Sequence, residues 1–224
     1  MKLLKDTIYP YEKLAEFIAK ESITNCFRLI GITGTSSVGK STFTSMLENE
    51  LKQAGKTVFV LRMDDYLKKE YRSGTRFWNR KDSTYLKPEY FDWEEVCHDI
   101  KKLQEGVAFE KECYIRGDGW GQIRTLEPSE CLILEGLFLD SISAATCMEY
   151  DMLVSLVADD DFIRKLRTER DAYYRKNYKN FQRTEAETQA EIDNTLLAGK
   201  AYEVCTDKWN YIRMHALGDF NAKI

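Results

Sequence analysis

The eight residues Gly34-Thr-Ser-Ser-Val-Gly39-Lys40-Ser41 match the pattern G-x-x-x-x-G-K-[ST], and their flanks constrain the fold more than any other stretch of the chain. Phe27–Thr33 is a short, largely apolar run that reads as a strand entering the loop. Ser41–Ala54 reads as a helix leaving it, with Phe43, Met46, Leu47 and Leu51 on one face and Gly55 as its stop. Strand, glycine-rich loop and helix together wrap a polyphosphate in backbone N–H groups. Gly34 and Gly39 stand where a Cβ would obstruct the turn or the phosphate. Thr35, Ser36, Ser37 and Val38 complete the loop, and Thr42 follows in the first helical turn. The helix directs free N–H groups and its positive dipole end at the phosphates. The Lys40 ammonium is expected at the β- and γ-phosphates and the Ser41 hydroxyl at a magnesium ion.

Further apolar runs extend the pattern. Thr57–Arg62, Cys131–Glu135 and Asp151–Val157 read as strands, and helices separate them. Near-continuous apolar strands alternating with helices predict an α/β fold, its parallel sheet covered on both faces. Tyr11–Ser22, with Leu14, Phe17 and Ile18 on one side, reads as an amphipathic helix before the first strand. The second and third strands are separated by a stretch too long for a simple crossover. It contains a polar, aromatic segment (Lys68–Tyr90), a helix over Trp93–Gln104 with a capping box at Asp92 and Glu95, and a hairpin pattern over Val107–Arg124. Asp160–Lys176 reads as an arginine-rich helix and Ala186–Tyr202 as another, while the tail from Cys205 stays open between alternatives. With 224 residues, the chain is expected to be one domain, 1–224, with an insertion at about 66–130 and a lid at about 159–180.

A net charge of −4 argues against non-specific nucleic-acid binding. No apolar run approaches membrane-spanning length and no signal peptide is visible, so a cytoplasmic location is expected. The six cysteines form no C-x-x-C pair, and with two histidines no zinc spacing arises. They read as unpaired, mostly small core residues. His98 reads as a structural or surface histidine.

Two strands end in acids, Asp64-Asp65 and Glu135. Ligands of parallel sheets sit at that carboxyl edge. Asp64 is placed to accept the proton of an attacking hydroxyl or to hold magnesium through water. Glu135 is placed to support the metal, which takes one or two carboxylates besides phosphates and water. Asp65 reads more readily as a structural acid at the strand end. Arg164, Arg167, Arg170 and Arg175 line the arginine helix. As a lid it would bring Arg170 or Arg175 to the transferring phosphoryl group. No N-K-x-D occurs, and Asp118-Gly-Trp-Gly121 reads as a turn, which points to ATP rather than a guanine nucleotide.

At these residues the chain resembles the uridine kinase and phosphoribulokinase family of P-loop kinases over roughly 27–176. Asp64-Asp65-Tyr66 resembles the family's acidic D-x-[FY], whose first Asp is the catalytic base. Lys87-Pro-Glu-Tyr-Phe-Asp-Trp93 resembles its H-P-x-x-F-D stretch. Leu134-Glu-Gly-Leu137 resembles its E-G-[IL], and Arg170-Asp171 its lid R-D. The resemblance implies a three-layer α/β/α P-loop NTPase fold with strand order 2-3-1-4-5. Leu67 stands where nucleoside kinases of the family carry an aromatic. Leu86 stands where they carry the ribose-binding Asp, and Lys87 replaces the His. A ribose diol needs a paired acceptor, and leucine offers none.

The expected function is transfer of the γ-phosphoryl group of ATP to a hydroxyl of a small molecule. Asp64, Lys40 and Arg170 are the catalytic candidates. Gly34–Thr42 and Arg175 are the nucleotide contacts, and Ser41, Asp64 and Glu135 the metal ligands. Arg80, Tyr85, Tyr114 and Arg116 are the acceptor contacts. The resemblance implies uridine or cytidine as acceptor, while Leu67 and Leu86 favour a pantothenate-like or sugar-like one. A nucleotide-binding regulator without turnover is the competing reading, and the intact Lys40, Ser41, Asp64 and Glu135 stand against it. Homo-oligomerisation is compatible with the sequence.

Overall fold

Leu132 and Leu134 of the strand Cys131–Glu135 face one hydrophobic core, and Cys131 and Ile133 face another. That alternation follows from the two-residue period of a strand buried on both faces, and it divides the protein into three layers. The computed structural model describes residues 11–72, 85–115, 119–177, 183–205 and 207–215. In chain order the elements are α1 (Tyr11–Thr24), β1 (Leu29–Gly34), α2 (Lys40–Gln53), β2 (Val58–Arg62), α3 (Trp93–Gln104), β3 (Phe109–Ile115), β4 (Gly119–Leu126), β5 (Cys131–Glu135), α4 (Ile142–Ala145), β6 (Met152–Val157), α5 (Asp160–Asn177), α6 (Glu185–Ala198) and β7 (Tyr211–His215). Short 3-10 turns follow β2 at Met63–Tyr66 and Lys69–Tyr71, and another, Pro88–Tyr90, precedes α3.

The main sheet runs β2–β5–β1–β6–β7, parallel throughout. With the separate β3–β4 hairpin left out of the count, this is the order 2-3-1-4-5. One core packs β1 and β6 under α1, α2, α5 and α6, through Phe43, Leu47, Ile163 and Ile192 among others. The other packs the opposite face under α3 and α4, through Val96, Ile100, Leu103 and Ala144. Register places Arg62, Glu135 and Ile32 side by side, so β2 and β5 end level with each other and β1 runs two residues further, to Gly34.

Local signals fix the boundaries. Asp92 accepts from the Glu95 N–H at 3.0 Å and starts α3 at Trp93 as its sequence predicts. Thr184 and Glu187 form a capping box that opens α6. That helix ends at Ala198 before Gly199, short of the expected Tyr202. The hairpin is antiparallel, with Phe109 opposite Leu126 and a register shift between Cys113 and Ile115.

One open reading is settled and one expectation needs correction. The open-ended tail contains β7, the fifth parallel strand, paired to β6 from Leu153–Tyr211 to Val157–His215. The cysteines are not all unpaired: Cys97 of α3 and Cys147 beyond α4 form a disulfide across 50 residues of sequence. The pairing arises because α3 and the chain after α4 pack on the same face of the sheet. His98 is 63% exposed, as expected of a surface residue. Among the described residues, no helix is long and apolar enough to cross a membrane.

Candidate active site

The phosphate loop joins β1 to α2 at the carboxyl edge of the sheet. Gly34 (φ 138) and Gly39 (φ 95) adopt backbone conformations that L side chains rarely take, and a Cβ on Gly34 would collide with the Leu156 carbonyl. Ser37 also has a positive φ, 71. A non-glycine residue held there carries backbone strain of the kind concentrated at ligand clamps. Lys40 curls back over the loop, its Nζ donating to the Gly34 and Thr35 carbonyls, each at 2.9 Å. The Tyr11 hydroxyl of α1 donates to the Val38 carbonyl at 2.7 Å and braces the loop from behind.

In the first turn of α2, the Ser41 hydroxyl donates to Glu135 Oε1 at 2.6 Å. Helix α2 and strand β5 thus bring together a hydroxyl and a carboxylate, the hard oxygen donors that suit magnesium. Asp64 lies in the turn after β2, half-buried, two residues past the Arg62 that pairs in register with Glu135. Among the described residues, no three His, Cys, Asp or Glu side chains form a metal cage. A magnesium ion held largely by phosphate oxygens and water needs only one or two protein carboxylates.

Helix α5 crosses the loop. Arg170 Nη1 donates to Ser37 Oγ at 2.9 Å and Arg167 Nη1 to Ser36 Oγ at 2.7 Å. Arg167 is 6% exposed, and sequence reasoning gives it no assigned role. Its spacing is the available signal: residues three apart share a helix face, so Arg167 accompanies Arg170. Behind them, buried Asp171 accepts from Arg183 at 2.9 Å and from Arg170 at 3.2 Å. Burial works against its charge, yet Arg183, Arg170 and Arg167 outweigh it and hold the carboxyl below the usual range. Arg175, expected at the nucleotide, donates instead to Thr188 Oγ1 at 3.0 Å and the Arg183 carbonyl at 3.4 Å. Five residues beyond Arg170, it leaves the loop-facing side of the helix and meets α6.

The insertion is anchored by Asp65, 3% exposed, whose Oδ1 accepts from the Tyr114 N–H at 2.9 Å. Burial raises its pKa, while Tyr114, Cys113 and Arg124 oppose the rise. Asp65 is therefore structural, as expected. Tyr114 presents its ring to Trp120, with centroids 5.4 Å apart. Tyr85 lines a cavity of about 340 Å³ together with Lys87, Ser141, Ser143 and Tyr202. A second, strongly charged cleft of about 580 Å³ lies between Leu67, Arg72, Glu95 and Lys111. There Lys111 is held at 2.7 Å by Glu95 and 3.0 Å by Asp99. Arg80, Arg116 and Asp118 lie outside the described residues.

The profile of the phosphoribulokinase / uridine kinase family matches residues 29–180. The chain belongs to this family. The phosphate loop, Asp64, Glu135 and Arg170 all fall within the matched span. The uridine kinase of Leuconostoc citreum is 28% identical over 145 residues, covering 64% of this chain and 68% of that protein. The uridine kinase of Staphylococcus epidermidis is 30% identical over 141 residues, covering 62% and 66%. The matches thus span about two thirds of these relatives' length. In architecture, the chain is similar to a Silicibacter sp. TM1040 protein described as a candidate fructose transport system kinase. That likeness has a TM-score of 0.62 at 18% identity and covers 91% of this chain and 98% of the other. The fold is the three-layer α/β fold of P-loop kinases. In this member of the phosphoribulokinase / uridine kinase family, β7 and the whole of α6 lie beyond the matched span.

Proposed function

We propose that the protein is an ATP-dependent kinase that phosphorylates a hydroxyl of a small molecule. The observation that carries this reading is the 2.6 Å contact between Ser41 and Glu135, beside a phosphate loop crossed by Arg167 and Arg170. It joins a cation-binding oxygen pair to a polyphosphate cradle. Lys40 would exchange its two backbone carbonyls for phosphate oxygens. Asp64 would take the proton of the acceptor hydroxyl while that oxygen bonds to the γ-phosphorus and the bond to the β–γ bridging oxygen breaks, releasing ADP. Arg170, with Arg167 beside it, would balance charge on the moving group. Ser41, Glu135 and Asp64 would hold magnesium, which when bound neutralises phosphate charge. The chemistry depends on in-line positioning and exclusion of water more than on covalent catalysis.

Uridine is the acceptor supported by the names of the relatives, and the family resemblance adds cytidine. A non-nucleoside acceptor is supported by Leu86, half-buried against the core where a ribose-binding carboxylate would stand. The net charge of −4 fits a small-molecule enzyme working without nucleic acid, and we place it in the cytoplasm as a single kinase domain that is free to self-associate. ATP consumption across a panel of nucleosides, sugars and hydroxy acids tests the reading. Asp64→Asn should abolish turnover while leaving ATP binding intact. ATP binding without any phosphorylated product, or full activity after the Asp64→Asn substitution, would overturn the assignment.

A further inference from the structure

The cavity beside Lys87 is walled by three segments, each fastened to the phosphate-loop site. The Lys87–Glu89 wall continues into Tyr90 and Phe91, which run along the turn that carries Asp64. Leu67 bridges Phe91, the Lys68 N–H donates to the Tyr90 carbonyl, and the Asp92 N–H donates to the Tyr66 carbonyl, both at 2.9 Å. The Ser141–Ser143 wall follows Glu135 by six residues and is tied to β1 by the Leu139 N–H on Thr33 Oγ1 at 3.2 Å. The Ala201–Glu203 wall follows Gly199, which lies so close to Thr35 of the phosphate loop that a Cβ would collide with the threonine methyl. This third wall lies beyond the span that the family profile matches.

The charges in the cavity are unequally placed. Glu89 and Glu203 are exposed, whereas Lys87 is half-buried. Among the described residues no carboxylate lies within 4.0 Å of the Lys87 ammonium, and its Nζ sits 5.7 Å from the centroid of the Tyr85 ring. A half-buried cation that meets no counter-charge among the described residues is placed to take an anion. The Ser141 hydroxyl accepts from the Ala144 N–H at 3.2 Å and keeps its own hydrogen to give. Tyr202 has committed its hydroxyl to buried Asp140 at 2.8 Å and leaves its ring as a wall. A volume of about 340 Å³ suits a small metabolite.

We propose that this cavity is the acceptor's specificity pocket and that Lys87 pairs with an anionic group on the acceptor. This rests on the kinase reading above and narrows its acceptor to a small hydroxyl compound bearing a carboxylate or a phosphate. An ammonium recognises either as a point charge.

The test is calorimetric binding, in the presence of a non-hydrolysable ATP analogue, of matched acceptors that differ in charge: D-glycerate against glycerol, pantothenate against pantothenol, and ribose 5-phosphate against ribose. The first two pairs report a carboxylate and the third a phosphate. One anion should bind about ten- to a hundredfold more tightly than its neutral counterpart. Lys87→Met should remove that preference and Lys87→Arg should keep most of it, with affinity for the ATP analogue unchanged in both. Equal binding within every pair, or an anion preference that survives Lys87→Met, would overturn the proposal. Turnover separates the two readings. Neutral nucleosides phosphorylated equally by wild type and Lys87→Met, with no anion preferred, would sink the pocket assignment alone. Lys87-dependent anion binding without phosphorylation would sink the kinase reading alone.

Discussion

The Ser41 hydroxyl donates to Glu135 at 2.6 Å, joining the first turn of α2 to the end of β5. Two elements 94 residues apart in sequence thus converge on one pair of oxygens. If that pair supports magnesium, Glu135→Gln should raise the magnesium concentration for half-maximal activity by about ten- to a hundredfold. Ser41→Ala should shift it in the same direction. Magnesium titrations of steady-state turnover measure this, and an unchanged midpoint in both variants would remove the pair from the metal site.

Arg170 reaches Ser37 and Arg167 reaches Ser36. A cation that acts on charge developing at the phosphoryl group affects kcat more than nucleotide affinity. Arg170→Ala should lower kcat by about 10²–10³-fold with a smaller effect on the Kd for ATP. A loss confined to ATP binding would make the arginine a nucleotide clamp.

Asp171 links Arg170 to Arg183 from a buried position. Asp171→Asn removes the buried carboxylate that both cations share and should destabilise the fold by about 3 kcal/mol. The pH dependence has a definite sign. The folded-state pKa lies below the unfolded value, which is about 3.9. The carboxylate's contribution is therefore full above that unfolded value and is lost as pH falls through the folded one. The Tm difference between wild type and variant should be constant near neutrality and shrink below about pH 4. A difference independent of pH down to the acid limit would contradict the charge-based account.

Cys97 and Cys147 are paired, and Cys26, Cys113, Cys131 and Cys205 are not. Alkylation of denatured protein should therefore label four cysteines without reductant and six with it. Closing a 50-residue stretch is expected to stabilise by about 4 kcal/mol. Reduction, or Cys97→Ser, should lower Tm accordingly. Protein isolated from a reducing cytoplasm and alkylated at once reports whether the bond forms there, where disulfides are uncommon. Six labels without reductant after air oxidation would show that the pair does not close.

The sheet and loop are legible in the sequence because their signals are local. The apolar runs ending at Arg62, Glu135 and Val157 are dense enough to mark strands of a covered parallel sheet, and glycines punctuate the first loop. Asp92 and Glu95 locate α3 by themselves. By contrast, β7 is not legible. Tyr211-Ile-Arg-Met-His215 is short, alternates buried with more exposed residues, and lies at the sheet edge beside a strand some 50 residues earlier. The site divides in the same way. Glycine and lysine spacing marks the loop, and strand ends mark Asp64 and Glu135. The destinations of the arginines are hidden because periodicity gives a helix face but not what that face meets. Arg167 therefore goes unassigned, and Arg175 is directed to the nucleotide when α6 holds it. The Cys97–Cys147 pairing is hidden for a related reason, since separate segments must dock before the thiols meet.

Lys40 donates to the carbonyls of Gly34 and Thr35, so the loop is wound around its own cation. On the proposed reading, phosphate entry would be an exchange of partners, its free energy a difference between two sets of hydrogen bonds. A lone inorganic phosphate would have to displace two backbone acceptors with one small ion. A triphosphate would displace the same two and add contacts along the rest of the loop and the start of α2. Discrimination by chain length would thus begin in the backbone, before any base or acceptor is recognised.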